Sequence, residues 1–410
     1  MAKYEIVETS VVIPEGVTEI EDSAFYRCTS LTSVVIPEGV TEIGDNAFSG
    51  CTSLTSVEIP SSVTEIGNSA FEGCSSLTSI VIPESVTKIE YGAFDGCSSL
   101  TSIVVKEGNS VFDSRECCNA IIETATNTLI KGCNSTIIPS NVTKIGKNAF
   151  SGCVSLTSVV IPKGVTAIGI FAFSGCSSLT SIAIPSSVTM IDDFAFSGCS
   201  SLTSIAIPSS VTAIGYMTFC YCSSLTSIVI PEGVTEIGGG AFADCTSLTS
   251  IIVEEGNSVY DSREGCNAII ETVTNTLIAA CKSTIIPLGV TEIPCNVFND
   301  TSLTSIEIPS SVKMIGWDAF LNCTSLTSVA INGKIKRIDR GTFRGCTALE
   351  SITLPPSVNK IEWDAFEGCT SIKVINVPAK KYDYYYERIP SPFNSLIVEM
   401  EPVKKAKKKK

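Results

Sequence analysis

Histidine is absent from the 410 residues, and its absence excludes several classes of chemistry. Without histidine the chain has no Ser-His-Asp or Cys-His catalysis, no imidazole metal ligand and no histidine pH switch. Charged residues are also sparse, at 17% of the chain. No apolar run approaches the ~20 residues of a membrane-spanning helix, so we expect no transmembrane segment.

Positive charge is the scarcer sign, since the formal net charge is −14. Six lysines fall in the last seven residues, which leaves the rest of the chain more acidic still. An acidic body argues against nucleic acid as a partner, because phosphate binding needs a basic surface. Hydrophobic residues make up 44% of the sequence, which suffices for a continuous core.

The first residues, MAKYEIV, contain no apolar core of the ~7–15 residues that a secretory signal needs. This start predicts no export signal and favours a cytoplasmic location.

An internal repeat dominates the rest of the chain. The stretch CTSLTSVEIPSSVTEIGNSAFEG from Cys51 is followed by CSSLTSIVIPESVTKIEYGAFDG from Cys74, and cysteines recur every 23 residues in three runs. Around Asp300 one residue is deleted and the cysteine is lost. A fixed period of this length is the signature of a repeat architecture.

Each unit has three parts. The pattern L-x-x-V-x-I, as in Leu54 to Ile59, alternates apolar and polar residues and predicts a short strand that ends at Pro60. V-x-x-I-G returns the chain on the other side, and A-F-x-x-C makes a tight apolar turn. One unit cannot bury its apolar residues, whereas stacked copies can. We therefore expect a β-rich solenoid of about fifteen coils, with a parallel sheet on the concave face and short strands and turns on the convex side.

Two longer coils interrupt the 23-residue period, at residues 105–139 and 253–287. They contain EGNSVFDSRECCNAIIETATNTLI and, 148 residues later, EGNSVYDSREGCNAIIETVTNTLI. AIIETATNTLI predicts strand, polar turn and strand, with Asn127 or Asn275 in the turn. We expect a β-hairpin that projects from the solenoid at each place.

The expected domain organisation follows from these boundaries. Residues 1–10 lack the repeat and predict an N-terminal cap, and residues 11–378 form the solenoid. The aromatic segment 379–403 predicts a C-terminal cap, and the lysine-rich residues 404–410 predict a disordered tail.

The unit L-x-x-V/I-x-I-P-x-x-V-x-x-I-G-x-x-A-F-x-x-C resembles the BspA-like leucine-rich repeats of bacterial and protist proteins, over roughly residues 11–378. The two long coils resemble that family as well. The resemblance implies a leucine-rich-repeat solenoid. It also suggests adhesion at a cell surface or after secretion, with matrix, plasma or cell-surface proteins as ligands.

The nineteen cysteines have two interpretations, a disulfide or metal framework and a column of small buried side chains. Side chains of equal phase run parallel in stacked coils, whereas a disulfide requires them to point at each other. Free cysteine is also among the most buried residue types. The twelve in-phase cysteines therefore favour a buried column of reduced thiols.

The strand position between the two inward apolar residues predicts a candidate binding face. Its middle is small and uncharged, which indicates either a broad protein-binding surface or plain strand propensity. The residues of this strand-face column are Val35, Glu58, Val81, Val104, Val160, Ala183, Ala206, Val229 and Ile252, followed by Glu307, Ala330, Thr353 and Asn376.

A second candidate lies two residues after the isoleucine of the return strand. Late coils place Trp317, Arg340 and Trp363 at this phase. Stacking would put Arg340 between two indoles, either as a binding hot spot or as packing that stiffens this end.

Carboxylates in the long coils, Asp113 and Asp261, are accompanied by arginines, which favours a salt bridge within a turn over acid–base chemistry. We expect no catalytic residue, no metal site and no cofactor. The function expected is a monomeric, non-catalytic scaffold that binds proteins as an adhesin, or alternatively as an intracellular interaction scaffold.

Overall fold

The structure is a computed structural model that describes residues 9–401, and these residues form two compact units that divide between Cys222 and Ser223. Each unit is a β-solenoid, and together they comprise about 17 turns. The predicted leucine-rich-repeat architecture is confirmed. Within the described residues, no helix is long and apolar enough to cross a membrane.

One ladder of parallel strands is built from the L-x-x-V-x-I segments. Leu54, Val57 and Ile59 point inward and are buried, while Glu58 between them is exposed. Register is kept at 23 residues, as in the pairing of Ser10 with Ser33. In the first unit this ladder contains Ser10–Val12, Ser33–Val35, Ser56–Val57, Ser79–Ile82 and Ser102–Val105, then isolated bridges that join Val160, Ala183 and Ala206.

A second ladder is built from the V-x-x-I-G segments, whose isoleucines are almost all buried. Its strands are only two residues long because the following turn leaves the ladder at once. In the first unit they are Glu19–Ile20, Glu42–Ile43, Glu65–Ile66, Lys88–Ile89, Lys144–Ile145, Ala167–Ile168, Met190–Ile191 and Ala213–Ile214.

The second unit repeats both ladders. The strands of its first ladder are Ser227–Ile230, Ser250–Val253, Ser305–Ile308, Ser328–Ile331, Ser351–Thr353, Val374–Val377 and Ile397–Glu399. Those of its second ladder are Glu236–Ile237, Glu292–Ile293, Met314–Ile315, Arg337–Ile338 and Lys360–Ile361. The deletion near Asp300 is absorbed in the turn, since Ile293 still pairs with Ile315, one residue short of the usual register.

The A-F-x-x-C turns stack phenylalanine rings along the core. Phe25 and Phe48 lie 5.1 Å apart between ring centroids, and the rings of Phe320 and Phe343 lie 5.3 Å apart. A glycine such as Gly50, with a φ of 74°, lets the backbone reverse just before the cysteine. These turns close each coil and place the next one directly upon it.

The two long coils contain the predicted hairpins, but the hairpins do not project. Ala120–Glu123 pairs antiparallel with Thr128–Gly132, and Thr128 then pairs in parallel with Lys144 of the next coil. Ile121 and Ile122 are both fully buried, so the hairpin must lie within the stack. The strands of these coils are Phe112–Asp113, Ala120–Glu123 and Thr128–Gly132, and Tyr260–Asp261, Ala268–Glu271 and Thr276–Ala280, with 3-10 turns at Arg115–Cys117 and Arg263–Gly265.

The chain ends differ from the repeats. A short helix, Tyr382–Tyr386, and a 3-10 turn, Phe393–Leu396, precede the last strand, which pairs with Val374–Val377. Tyr385 is fully buried and donates its hydroxyl to the Pro355 carbonyl oxygen at 2.6 Å. That contact is what a C-terminal cap requires, although the proposed cap boundaries stay a prediction. Most of the proposed N-terminal cap and the whole lysine tail lie outside the described residues.

Candidate binding surfaces

The strand-face column of the first unit is exposed, as the alternation of the strands requires. Val35 is 57% exposed and Val160 is 82% exposed. Val81 and Val104 are less exposed than these two but are not buried. Ala183 and Ala206 continue the column as small residues, and Glu58 is its one charged member among the predicted positions of this unit. The arrangement presents apolar side chains at regular strand spacing.

The threonine hydroxyls beside this column are satisfied within the solenoid. The Thr32 hydroxyl donates to the Thr9 carbonyl oxygen at 3.0 Å, and the Thr55 hydroxyl donates to the Thr32 carbonyl oxygen at 3.2 Å. Thr101 and Thr203 repeat this contact with the preceding coil. A partner that covers the face would leave these hydroxyl protons bonded.

In the second unit, Val229 and Ile252 are 42% and 49% exposed. The later predicted positions are charged, small or polar, with Glu307 exposed and Ala330, Thr353 and Asn376 half-buried. Among the predicted positions of this unit, large exposed apolar side chains therefore occur only at Val229 and Ile252.

Sequence reasoning missed four members of the column. Val12 and Val398 pair with the predicted members Val35 and Asn376 and are exposed. Ile137 and Ile285 are 73% and 72% exposed and lie in the long coils, two residues before a proline, as Val35 does. The Asn134 backbone N–H donates to the Leu100 carbonyl oxygen at 3.2 Å, which aligns the segment that contains Ile137 with the preceding coil. The position of Ile137 and Ile285 two residues before a proline is the sequence signal that could have identified them.

The predicted stack of Arg340 between two indoles is half correct. Arg340 lies over Trp363, with 6.0 Å from the guanidinium carbon to the ring centroid, and its Nε donates to Asp364 Oδ2 at 3.4 Å. Trp317 and Arg340 instead share the lining of a groove of about 450 Å³. In the described chain, one cation–π pair forms where two were expected.

This groove carries mixed charge. Its arginines are paired, Arg344 with Asp318 at 3.2 Å and Arg337 with Asp339 at 2.6 Å. Asp364 is only 2% exposed, and its Oδ1 has no hydrogen-bond partner. Trp317 and Trp363 are 56% and 66% exposed at its edge.

The cysteine column is buried, as predicted, apart from the half-buried Cys28. Cys51 Sγ donates to the Phe25 carbonyl oxygen at 3.2 Å, and the same contact recurs down the column. Burial raises the pKa of the Cys51 and Cys222 thiols to about 12. All nineteen cysteines are free thiols in the structure. The column thus serves as a set of buried backbone hydrogen bonds.

The acidic residues of the long coils form the predicted turn salt bridges. Arg115 pairs with Asp113 at 2.5 Å and also donates to Asn127 Oδ1 at 2.9 Å, and Arg263 repeats both contacts. Asn127 and Asn275 sit in the hairpin turns with positive φ. Within residues 9–401, no group of three or more acidic, cysteine or histidine side chains is placed to hold a metal ion.

The comparisons with known proteins agree with this geometry. The model of the BspA-type leucine-rich repeat region matches the chain in six copies, over residues 4–120, 130–264 and 276–387. Among curated proteins, none matches this sequence significantly.

Solved structures include several similar solenoids. A leucine-rich cell surface protein from Faecalibacterium prausnitzii A2-165 is 28% identical, with a TM-score of 0.51, and the match covers 96% of this chain and 91% of that one. A leucine-rich repeat protein from Bacteroides ovatus ATCC 8483 is also 28% identical, with coverage of 96% and 84% and a TM-score of 0.43. The pneumococcal vaccine antigen PcpA is 16% identical, with coverage of 95% and 77% and a TM-score of 0.47. On its repeat, its two-ladder fold and the match over most of its length, the chain belongs to the BspA-type leucine-rich repeat family.

Proposed function

We propose that this protein is a non-catalytic scaffold that binds matrix, plasma or cell-surface proteins of a host, in the manner of an adhesin. The observation that carries the proposal is the exposed apolar column on the strand face. Exposed apolar patches on water-soluble surfaces commonly mark interaction sites. The first unit supplies the clearest patch, with Val81, Val104, Ile137 and Val160 in successive coils.

The free-energy cost of covering this face depends on the polar and charged groups that a partner would bury. The neighbouring threonine hydroxyls already donate to carbonyl oxygens of the preceding coil, so a partner that covers the face leaves these donors bonded. Glu58 is the charge that would need to stay at the rim. Burying the valines and Ile137 then contributes about 25 cal/mol for each Å² of apolar surface removed from water.

A surface location is supported by one structural relative. The Faecalibacterium prausnitzii protein is described as a leucine-rich cell surface protein, and it shares the fold and 28% of residues with this chain. An intracellular interaction scaffold is the second candidate. It is favoured by the nineteen free thiols, because cysteines stay reduced in reducing compartments.

The experiment is a capture assay with the purified chain against two pools, host matrix and plasma proteins in one and cytosol of the producing cell in the other. We expect the chain to retain a matrix or plasma protein. The variant Val81→Glu with Val160→Glu should lose that protein by at least tenfold, because two charges would then be desolvated.

The control is Val273→Glu, since Val273 is 86% exposed but lies in a hairpin turn away from the column. Equal loss in the control, or no loss in the double variant, would contradict the strand-face assignment. Capture only from the cytosolic pool would replace the adhesin role with the intracellular one.

A further inference from the structure

The two long coils are near copies 148 residues apart, yet Lys131 of the first copy is replaced by Ala279 in the second. In the first copy, Lys131 is buried and donates to Asp95 Oδ1 at 3.1 Å, to the Asn148 carbonyl oxygen at 3.2 Å and to the Ser151 carbonyl oxygen at 3.3 Å. Tyr91 joins this cluster through Asn148. In the first unit, a buried ion pair and a tyrosine ring therefore occupy this site.

In the second copy, the residues that correspond to this cluster are small. Ala279 stands at the place of Lys131, Ala243 at the place of Asp95 and Gly239 at the place of Tyr91. Asn296 corresponds to Asn148 and is retained. The second copy therefore lacks the lysine side chain, the aspartate carboxylate and the tyrosine ring of the first.

The structure shows the consequence as a difference in empty volume. The cavity at the first site measures about 90 Å³ and is lined by Tyr91, Asp95 and Lys131 among others. At the second site the cavity measures about 200 Å³ and is lined by Phe242, Ala243, Ile278 and Ala279 among others. None of its lining residues is charged.

Two further features define what this cavity would accept. Gly239 and Asn296 at its lining are exposed, so the cavity opens to solvent, whereas Phe242 and Ala279 are buried. Asn299 also lines it, and the Asn299 Oδ1 atom is buried with no hydrogen-bond partner. An unpartnered buried acceptor is destabilising until a donor reaches it.

We propose that this cavity is a binding site for a small neutral aromatic molecule that carries one hydrogen-bond donor, of the phenol class. Apolar cavities of about 150 Å³ accept a single aromatic ring, so the volume suits one ring. The ring would pack against Phe242, Ile278 and Ala279, and its hydroxyl would donate to Asn299 Oδ1. The first unit's matching site is closed to such a ligand by Lys131 and Tyr91.

The test is calorimetric and NMR titration of the full chain with phenol, with toluene as the probe that lacks a donor. We expect one phenol per chain, with a dissociation constant on the order of 1 mM or tighter. Toluene should bind several-fold more weakly. Ala243→Asp with Ala279→Lys, which rebuilds the pair of the first unit, should abolish phenol binding.

A second variant guards against misfolding of that buried pair. Gly239→Tyr restores only the rim tyrosine of the first unit and should weaken phenol binding at least tenfold while the thermal unfolding temperature stays unchanged. The proposal is overturned if the wild-type chain shows no saturable phenol signal or if Gly239→Tyr binds phenol as tightly as the wild type. Equal affinity for toluene would overturn the assigned ligand class.

Discussion

At the scale of single residues, the cysteine of each repeat combines two properties that are usually separate. Its side chain fills a small apolar gap, and its Sγ donates to the phenylalanine carbonyl oxygen of the preceding coil, as Cys199 does to Phe173 at 3.2 Å. The burial that makes this contact dry also disfavours the thiolate. The pKa of the Cys153 thiol is accordingly raised, by burial, to about 11.

This shift predicts alkaline loss of stability. Thiols of the unfolded chain ionise near pH 8.5, whereas Cys51 and Cys222 hold their protons until about pH 12 in the fold. The stabilising contribution is thus complete below about pH 8.5 and is lost as the pH rises toward 12. Urea unfolding between pH 7 and pH 11 measures it.

The control for this prediction is Cys51→Ala with Cys222→Ala. Those substitutions should make the decline in unfolding free energy with pH less steep, because two shifted thiols are gone. An unchanged slope would mean that the column does not control the alkaline limit.

At the scale of elements, the first long coil contains a buried ion pair that its copy lacks. Lys131 is 7% exposed and Asp95 is 13% exposed at the side chain. Removing one partner of such a pair leaves the other charge buried and uncompensated.

We expect Lys131→Ala to lower the unfolding free energy by about 3–5 kcal/mol. The double variant Asp95→Ala with Lys131→Ala should cost less than the single variant, since Ala243 and Ala279 show that the coil tolerates two alanines. Chemical denaturation of the single and double variants checks this. A double variant less stable than Lys131→Ala would contradict this and would show that Asp95 stabilises the coil through its other contact, with the Asn148 side chain.

The tryptophans beside the groove offer a second prediction at this scale. Trp363 carries the Arg340 guanidinium on its ring, whereas Trp317 faces the groove as an exposed indole. If this place is a binding hot spot, Trp317→Ala should weaken capture of the partner by more than tenfold with little change in stability. Trp363→Ala should lower stability instead, by about 1 kcal/mol, through loss of the cation–π contact. Capture assays and thermal unfolding of both variants separate these outcomes, and unaltered capture by Trp317→Ala would leave only a packing role.

At the scale of the whole molecule, stability is a sum over coils and their nearest neighbours. Phe343 is fully buried and stacks between Phe320 and Phe366. Phe343→Ala should therefore cost about 3–5 kcal/mol, concentrated in the coils that touch it.

Hydrogen exchange with mass spectrometry locates that loss. Protection should fall in residues 305–377 and stay unchanged around Phe48 in the first unit. Uniform loss across both units would show that the chain unfolds as a single cooperative body. The matched variant Phe48→Ala should give the reverse pattern.

The sequence by itself determined the coil, its two ladders, the inward columns and the exposed strand face. It could do so because each coil contacts mainly its neighbours, so a 23-residue period turns sequence phase directly into position. Val35 and Val160 were assigned to one face on phase alone, and Ile137 obeys the same rule.

Only the tertiary structure decided what happens where the period breaks. Polar turn residues made the hairpins look external, but two adjacent buried isoleucines, Ile121 and Ile122, hold the first hairpin inside the stack. Arg340 lies over one indole because its Nε is held by the buried Asp364. The cavity beside Ala279 exists because the lysine that fills the first copy comes from one coil and the aspartate and tyrosine from the turn of another, and only folding brings the three positions together.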